Sequence, residues 1–371
     1  MHDVAVAGGG PGGCAAALAL RAHAPGLSVA LVEASAYAGE RIGETLPPHA
    51  AEVLEHLGVG DAFRAQRHHP AYGTAAAWGA PVPHENEFLF HVRPVGWHLD
   101  RGAFDGMLAD RAEARGVHVL RRTRVQDAAR EPGGWRLSLS TGGELRARFL
   151  VDATGAGASL ARRHGGARLR VHDRLAGFVR FFRQPAGAGA PHTLVEAFAD
   201  GWWYTAPLPD GRRVVACMTD SDVARGLRLE EDDAWHGLLR ATAPAVLASL
   251  ADAVPDGAPI VRAARSRRLD PAAGQDWIAV GDAASAFDPL SSQGMLKALR
   301  SGIFAAYAAG DWLAKGDDAG LARYRAFIRN EFEAYLETRA RYYADEQRWP
   351  GHEFWRRRHA PSPGREPALA S

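Results

Sequence analysis

The sequence predicts an α/β protein: a parallel-sheet nucleotide-binding domain, interrupted by an inserted antiparallel sheet and followed by C-terminal helices. Three observations carry this. A strand, a glycine-rich turn, a helix and a second strand follow one another within residues 3–33. A further buried-strand pattern, Trp277-Ile278-Ala279-Val280, ends in Gly281-Asp282 far downstream. Between them, residues 165–270 carry several short alternating runs, the pattern of an antiparallel sheet with one solvated face.

Asp3 to Ala7 is a short apolar strand that enters Gly8-Gly9-Gly10-Pro11-Gly12-Gly13. Cys14 to Ala22 is a run of strong helix formers, and Val29 to Val32 is a second strand ended by Glu33. That is one βαβ unit of the usual size. A Gly/Pro-punctuated loop covers 37–48, and a helix pattern over 49–57 breaks at Gly58. Asp100 can cap a helix over 101–115, which Gly116 ends. Residues 135–140 and 144–151 read as paired strands around Thr141-Gly142-Gly143. Strands are expected at 175–183, 193–198, 202–207 and 213–219, with a helix near 230–252. A long helix starts near Gly294, one or two amphipathic helices cover 317–346, and the tail from Pro350 reads as loose. The expected domains are 1–67, 98–164 and 271–312 for the nucleotide, 68–97 and 165–270 for a substrate, a helical region at 313–349, and the tail at 350–371.

Composition excludes several classes. Lys plus Arg number 44 against 43 Asp plus Glu, a net charge of +1, so no global basic field exists to hold nucleic acid or anionic lipid. At 47% hydrophobic and 23% charged, the chain is neither disordered nor fibrous. The basic residues are almost all arginine, with lysine only at 297 and 315. Cys14 and Cys217 are the only cysteines, so neither a disulfide framework nor a zinc or redox CxxC pair is available, and no metal site is expected. No stretch approaches 18 apolar residues and no secretory pattern opens the chain, so a cytoplasmic protein without a membrane span is expected.

Gly8-x-Gly10-x-x-Gly13, with Pro11 and Gly12 inside it, sits between strand and helix. Glycines are needed where the chain turns sharply, where backbone approaches a pyrophosphate, and where helix meets strand; the helix N-terminus then offers unpaired N–H groups to the phosphates. Glu33 lies where a carboxylate takes ribose hydroxyls and disfavours a 2′-phosphate. Asp282 can accept from a ribityl hydroxyl, and the helix starting at Gly294 can stabilise negative charge on a reduced flavin. The loop Asp288 to Gln293, with Pro289, can stand over the ring edge and supply backbone donors. FAD is therefore the expected cofactor. No second GxGxxG is present, so electrons come from NAD(P)H binding transiently or from a separate flavin reductase.

GGGPGG at 8–13, Glu33 and GDAASAFDPLSSQG at 281–294 resemble the flavin monooxygenase superfamily, whose Rossmann-like FAD domain is of the glutathione reductase and para-hydroxybenzoate hydroxylase type. Within it, GERIGETLPP at 39–48 and LVDATG at 150–155 resemble the branch of flavin-dependent tryptophan halogenases and LodB-like flavoproteins. The latter modify tryptophan in partner proteins to make quinone cofactors. The resemblance implies that Arg41 lies beside the flavin, that Arg101 reaches its phosphate or ribityl chain, that Asp152 and Gly155 close over the adenine side, and that Gly281 and Asp282 hold the ribityl chain.

The halogenases of this branch use a lysine to deliver the halogen, in a stretch that here reads HHPAYGTAAAW, 68–78, with Gly73 about where the lysine belongs. Their WxWxIP motif is matched only in part by Trp202-Trp203-Tyr204-Thr205-Ala206-Pro207. Both departures favour oxygen insertion from O2 into an electron-rich aromatic, an indole above all, in a tryptophan-bearing peptide or protein partner. Trp203 and Tyr204 are expected to wall the site and Gln293 and Gly294 to serve the reacting ring; a base would raise the nucleophilicity of the ring, and His68, His69, His84, His91 and His98 suggest one, although each singly reads as surface or structural. In an alternating strand at least one of these tryptophans is simply core. The alternatives are a halogenase, a geranylgeranyl-reductase-like flavin reductase, and a non-enzymatic binding protein on the same fold.

Overall fold

The computed structural model describes residues 1–39, 41–87, 95–185 and 192–360. The chain divides into two compact units: Met1–Pro70, Val92–Asp173 and Arg265–Glu333 form one, and Ala71–His91, Arg174–Ala264 and Ala334–Ser371 the other. Among the described residues, no helix is long and apolar enough to cross a membrane.

The first unit is built on a mixed sheet. Strands His118–Leu120, Val29–Val32, His2–Ala7, Glu144–Asp152 and Trp277–Ala279 run parallel in that spatial order. Gly134–Leu139 and Val125–Glu131 continue the sheet antiparallel from Glu144–Asp152. The helix Pro11–His23 is buried from Gly12 to Leu20, because its run of alanines lets neighbouring helices approach from several sides. The helices Arg101–Ala114 and Gly294–Lys315 both pack on it. Asp100 caps the former as expected, accepting from the Ala103 amide at 2.9 Å.

Within residues 68–97, read as part of the substrate domain, Gly73–Ala77 pairs with the sheet of the second unit, while Gly96–His98 pairs with Thr45–Leu46 in the first.

The second unit is the antiparallel sheet. Leu175–Arg183, Arg212–Asp220, Gly201–Pro207 and Thr193–Phe198 are neighbours in that order, and Gly73–Ala77 joins parallel to Thr193–Phe198. One face carries Phe178, Phe198, Trp203, Val215 and Cys217 against Trp235, Leu239 and Val246, which come from two short helices where one was expected, Asp232–Thr242 and Pro244–Ala248. Pro244 opens the second of these at a position where proline cannot continue the first.

In the C-terminal region a single helix, Ala319–Ala344, fills the stretch read as one or two helices over 317–346. The supposed loose tail from Pro350 holds a helix, Glu353–His359, with Phe354 and Trp355 fully buried; residues 361–371 lie outside the described ones. Arg358 forms a two-pronged bond with Asp220, at 2.8 and 3.2 Å, and Arg357 bridges Asp220 and Asp222 at 2.7–2.9 Å. Burial alone would push the Asp220 carboxyl up; the bonds from Arg358 and Arg357 outweigh it and hold it below the usual range. Composition alone missed this, because Pro and Arg mark a loose tail only when the arginines have no carboxylate to meet.

Removing Arg358 takes two charged bonds from the buried Asp220 and leaves it Arg357 alone, so Arg358→Ala should destabilise the second unit by roughly 1.5–3 kcal/mol in urea unfolding. Because the folded Asp220 pKa is depressed, this stabilisation is full at neutral pH and fades as pH falls below the ordinary aspartate range. The acid limb of the stability curve should therefore be flatter in Asp220→Asn than in the wild type. A loss under about 1 kcal/mol in the alanine variant would count against the clasp.

Candidate functional site

The site begins at the end of strand His2–Ala7. Gly8 takes φ +113°, and its amide donates to the Val32 carbonyl at 2.8 Å. A Cβ on Gly8 would lie 2.1 Å from the Ala153 carbonyl oxygen, and one on Gly13 would lie 2.0 Å from the Gly8 carbonyl oxygen. Gly10 is different: a Cβ there would meet nothing within 4 Å. It precedes Pro11 at the start of the helix, and no side chain caps that end. An uncapped first turn beside an open glycine is the arrangement of an anion cradle.

Glu33 closes one side. Its Oε2 accepts from the Gly9 amide at 2.8 Å, and its Oε1 accepts from the Ser35 amide and hydroxyl at 2.9 and 2.5 Å. Arg41 Nη2 also donates to Oε1, at 3.4 Å, so Glu33 holds the glycine loop and Oε2 keeps one lone pair for a ribose. Tyr37 donates to the Gly9 carbonyl at 3.0 Å; burial, with Cys14 and Glu33 nearby, pushes its phenol well up.

Arg41 and Arg101 both turn to Asp105, which is fully buried. Arg41 donates to it at 2.8 Å and to Ser35 at 2.6 Å. Arg101 donates to it at 3.0 Å and to the carbonyls of Ile42 and Gly43 at 2.7 and 3.1 Å. Their guanidinium groups bond within the protein, folding the 41–43 loop onto the helix Arg101–Ala114. Asp152 is likewise internal. Its oxygens accept from the Thr154, Leu160 and Ala161 amides and the Thr154 hydroxyl, and it is fully buried. Gly155, at φ +73°, stays open.

The second half of the site follows strand Trp277–Ala279. The Gly281 amide donates to Ser301 Oγ at 2.9 Å, and a Cβ on Gly12 would lie 3.1 Å from Gly281 Cα. Asp282 has a half-exposed side chain and accepts from Lys297 Nζ at 3.0 Å. Asp288 is buried and holds the Leu290 amide at 3.0 Å, opening the turn Pro289–Ser291. Pro289, Gln293 and Gly294 are exposed, and no side chain caps the helix that starts at Gly294. Two open helix N-termini and two carboxylates thus belong to one unit. The residues fit FAD: Gly10 to Gly13 would hold the pyrophosphate, Glu33 the ribose, and Asp282 with Gly294 the ribityl and ring edge.

Trp203 is corrected from site wall to core. It is fully buried against Phe198 and Trp235, and its Nε1 donates to Thr242 Oγ1 at 3.0 Å. Trp202 points to the opposite face and bonds the Tyr343 hydroxyl at 3.0 Å. Tyr204, two residues on and half-buried, shares the face of Trp202. Of the histidines, His68 has Nε2 on Gln66 and Nδ1 on the Asp100 amide, and burial lowers its pKa. His98 is fully buried beside the His69 ring, His84 is exposed, and His91 lies outside the described residues. Among the described residues no group of His, Cys, Asp or Glu could hold a metal.

Three residues at the site escaped the sequence reading: Tyr37, Asp105 and Lys297. For Asp105 the signal was its place four residues beyond Arg101 on a helix. For Lys297 it was rarity, one of two lysines in the chain.

The tryptophan halogenase family profile matches residues 3–90 and 68–367. LodB of Marinomonas mediterranea, described as an FAD-dependent oxidoreductase, is 31% identical over 97% of both chains. The flavin-dependent halogenase CndH superimposes with a TM-score of 0.86 at 27% identity, over 98% of this chain and 87% of that one. QhpG, a peptidyl tryptophan dihydroxylase essential for tryptophylquinone cofactor biogenesis, gives 0.75 at 29% identity, over 96% and 78%.

The glycines should separate cleanly on substitution. Gly10 has φ −71° and an open Cβ direction, so Gly10→Ala should leave the melting temperature of the flavin-stripped protein unchanged or slightly raised while weakening FAD binding by about tenfold or more. Gly13→Ala should instead lower stability by at least about 1–3 kcal/mol before any ligand is added. Calorimetry and flavin-fluorescence titration read the two effects. Equal FAD affinity in Gly10→Ala would remove the cradle assignment.

Proposed function

Starting from a chain that belongs to the tryptophan halogenase family and is an FAD-dependent oxidoreductase, we propose that it inserts oxygen from O2 into an electron-rich aromatic ring, the indole of a tryptophan held in a peptide or protein partner. The observation that carries this reading is the placement of lysine. Gly73 stands about where a halogenase lysine belongs, at the start of strand Gly73–Ala77 and paired with Glu87. The first lysine in the chain, Lys297, is 2% exposed and spends its ammonium on Asp282 and the Ser285 carbonyl. The similarity to LodB and QhpG supports tryptophan, and QhpG supports a peptidyl one.

When bound, reduced FAD supplies the electrons that activate O2. The chain's own work is to bind, orient and exclude water. The open first turn of helix Gly294–Lys315 offers N–H donors to negative charge, and Asp282 offers an acceptor beside it. Gln293 offers a polar side chain at the exposed loop beside that turn. Electrons come from a separate flavin reductase or from NAD(P)H. Halogenation is the second reading, favoured by the match to halogenases such as CndH.

The two readings part in a single turnover. Reduced enzyme is mixed with oxygen-18 gas and bromide, and a tryptophan-containing peptide, free tryptophan and small phenols are offered separately. Oxygen-18 in the peptide with no brominated product is the expected result by mass spectrometry. A brominated product would favour the second reading. Label confined to free tryptophan or a phenol would remove the peptidyl substrate.

A further inference from the structure

Lys297 lies one turn into the helix Gly294–Lys315, yet its side chain is 2% exposed. Its ammonium is saturated on three sides. It donates to Asp282 Oδ1 at 3.0 Å and to the Ser285 carbonyl, and it sits 5.1 Å from the centre of the Phe287 ring. Four residues on, and so on the same helix face, Ser301 Oγ accepts the Gly281 amide at 2.9 Å. The helix thus grips the turn 281–285 at two points on one face. The partner carboxylate is of another kind: Asp282 is 51% exposed, and its Oδ2 has no partner among the described residues.

We infer that Lys297 is the positioning residue for the flavin: it binds Asp282 from inside the protein and aims the outer carboxylate oxygen at the ribityl chain, in register with the open helix turn at Gly294. This rests on the FAD reading above. A half-exposed aspartate on a short turn would otherwise sample several rotamers, and ordering it at the moment of binding costs affinity. The fixed ammonium removes that cost. With Arg267, which also interacts with Asp282, it balances the carboxylate, which would otherwise repel the diphosphate of an incoming dinucleotide. Burial raises the Glu331 carboxyl, partly opposed by Arg300, 3.3 Å away, and by Lys297.

A positioning role and a structural role separate experimentally. Methionine matches the length of lysine, is apolar, and packs well on Phe287, while Asp282 can return to water. Lys297→Met should therefore leave the melting temperature of the flavin-stripped protein unchanged or raised. Its FAD dissociation constant, from fluorescence titration, should rise about tenfold or more. Asp282→Asn should lose a similar factor, and Lys297→Met placed on Asp282→Asn should add no more than about twofold, because the lysine acts through that carboxylate. Lys297→Gln, which keeps a donor, should fall between wild type and methionine. FAD affinity within twofold of wild type in Lys297→Met, or losses that multiply in the double variant, would overturn the inference. So would a failure of both single lysine variants to fold, which would make the lysine structural. A wild-type protein that binds no FAD would instead overturn the FAD reading.

Discussion

The structure depends on a close approach of backbone to backbone. Strand His2–Ala7, helix Pro11–His23, the Ala153 loop and helix Gly294–Lys315 converge on so little space that Gly8, Gly13 and Gly302 have no room for a Cβ and Gly12 has little. A Cβ on Gly302 would lie 2.3 Å from the Gly12 carbonyl oxygen, which brings the long helix against the first. Everything the first unit offers a nucleotide follows from that contact. It sets the glycine cradle beside the 281–285 turn and brings segments more than 250 residues apart in sequence into one site.

Around this frame, charged side chains serve structure as much as binding. Arg41 and Arg101 share the buried Asp105, and Asp152 is consumed by four donors. Breaking such a site would strand a charge in low dielectric, so these residues resist change for reasons unrelated to chemistry. Arginine suits this work because its planar fork meets carboxylate and carbonyls at once. Glu33 likewise holds the glycine loop and the Ser35 turn while meeting Arg41 at 3.4 Å.

In the second unit the strand Gly201–Pro207 shows how a motif divides between faces. Adjacent tryptophans point opposite ways, Trp203 into a core with Trp235 and Trp202 toward Tyr343. A halogenase motif and its partial match differ at Tyr204 and Ala206, both beyond this pair of packing residues. Family membership therefore coexists with freedom in the chemistry: the family sets the fold, and a fold does not by itself fix the reaction.

The sequence by itself determined the βαβ unit, the glycine spacing, the Asp100 cap, the strand boundaries of the inserted sheet and the flavin family. These are local signals: periodicity, turn chemistry and capping act within a few residues, so the chain states them wherever it lies. Only the tertiary structure decided which charges pair. Arg41 and Asp105 are 64 residues apart, and Arg358 and Asp220 are 138 apart, so no window of sequence couples them. The same holds for Trp203 and Trp202, whose faces depend on which helix covers each side of the sheet. It holds most of all for Lys297, a solvated-looking cation on a helix until the turn 281–285 folds over it and turns its ammonium inward.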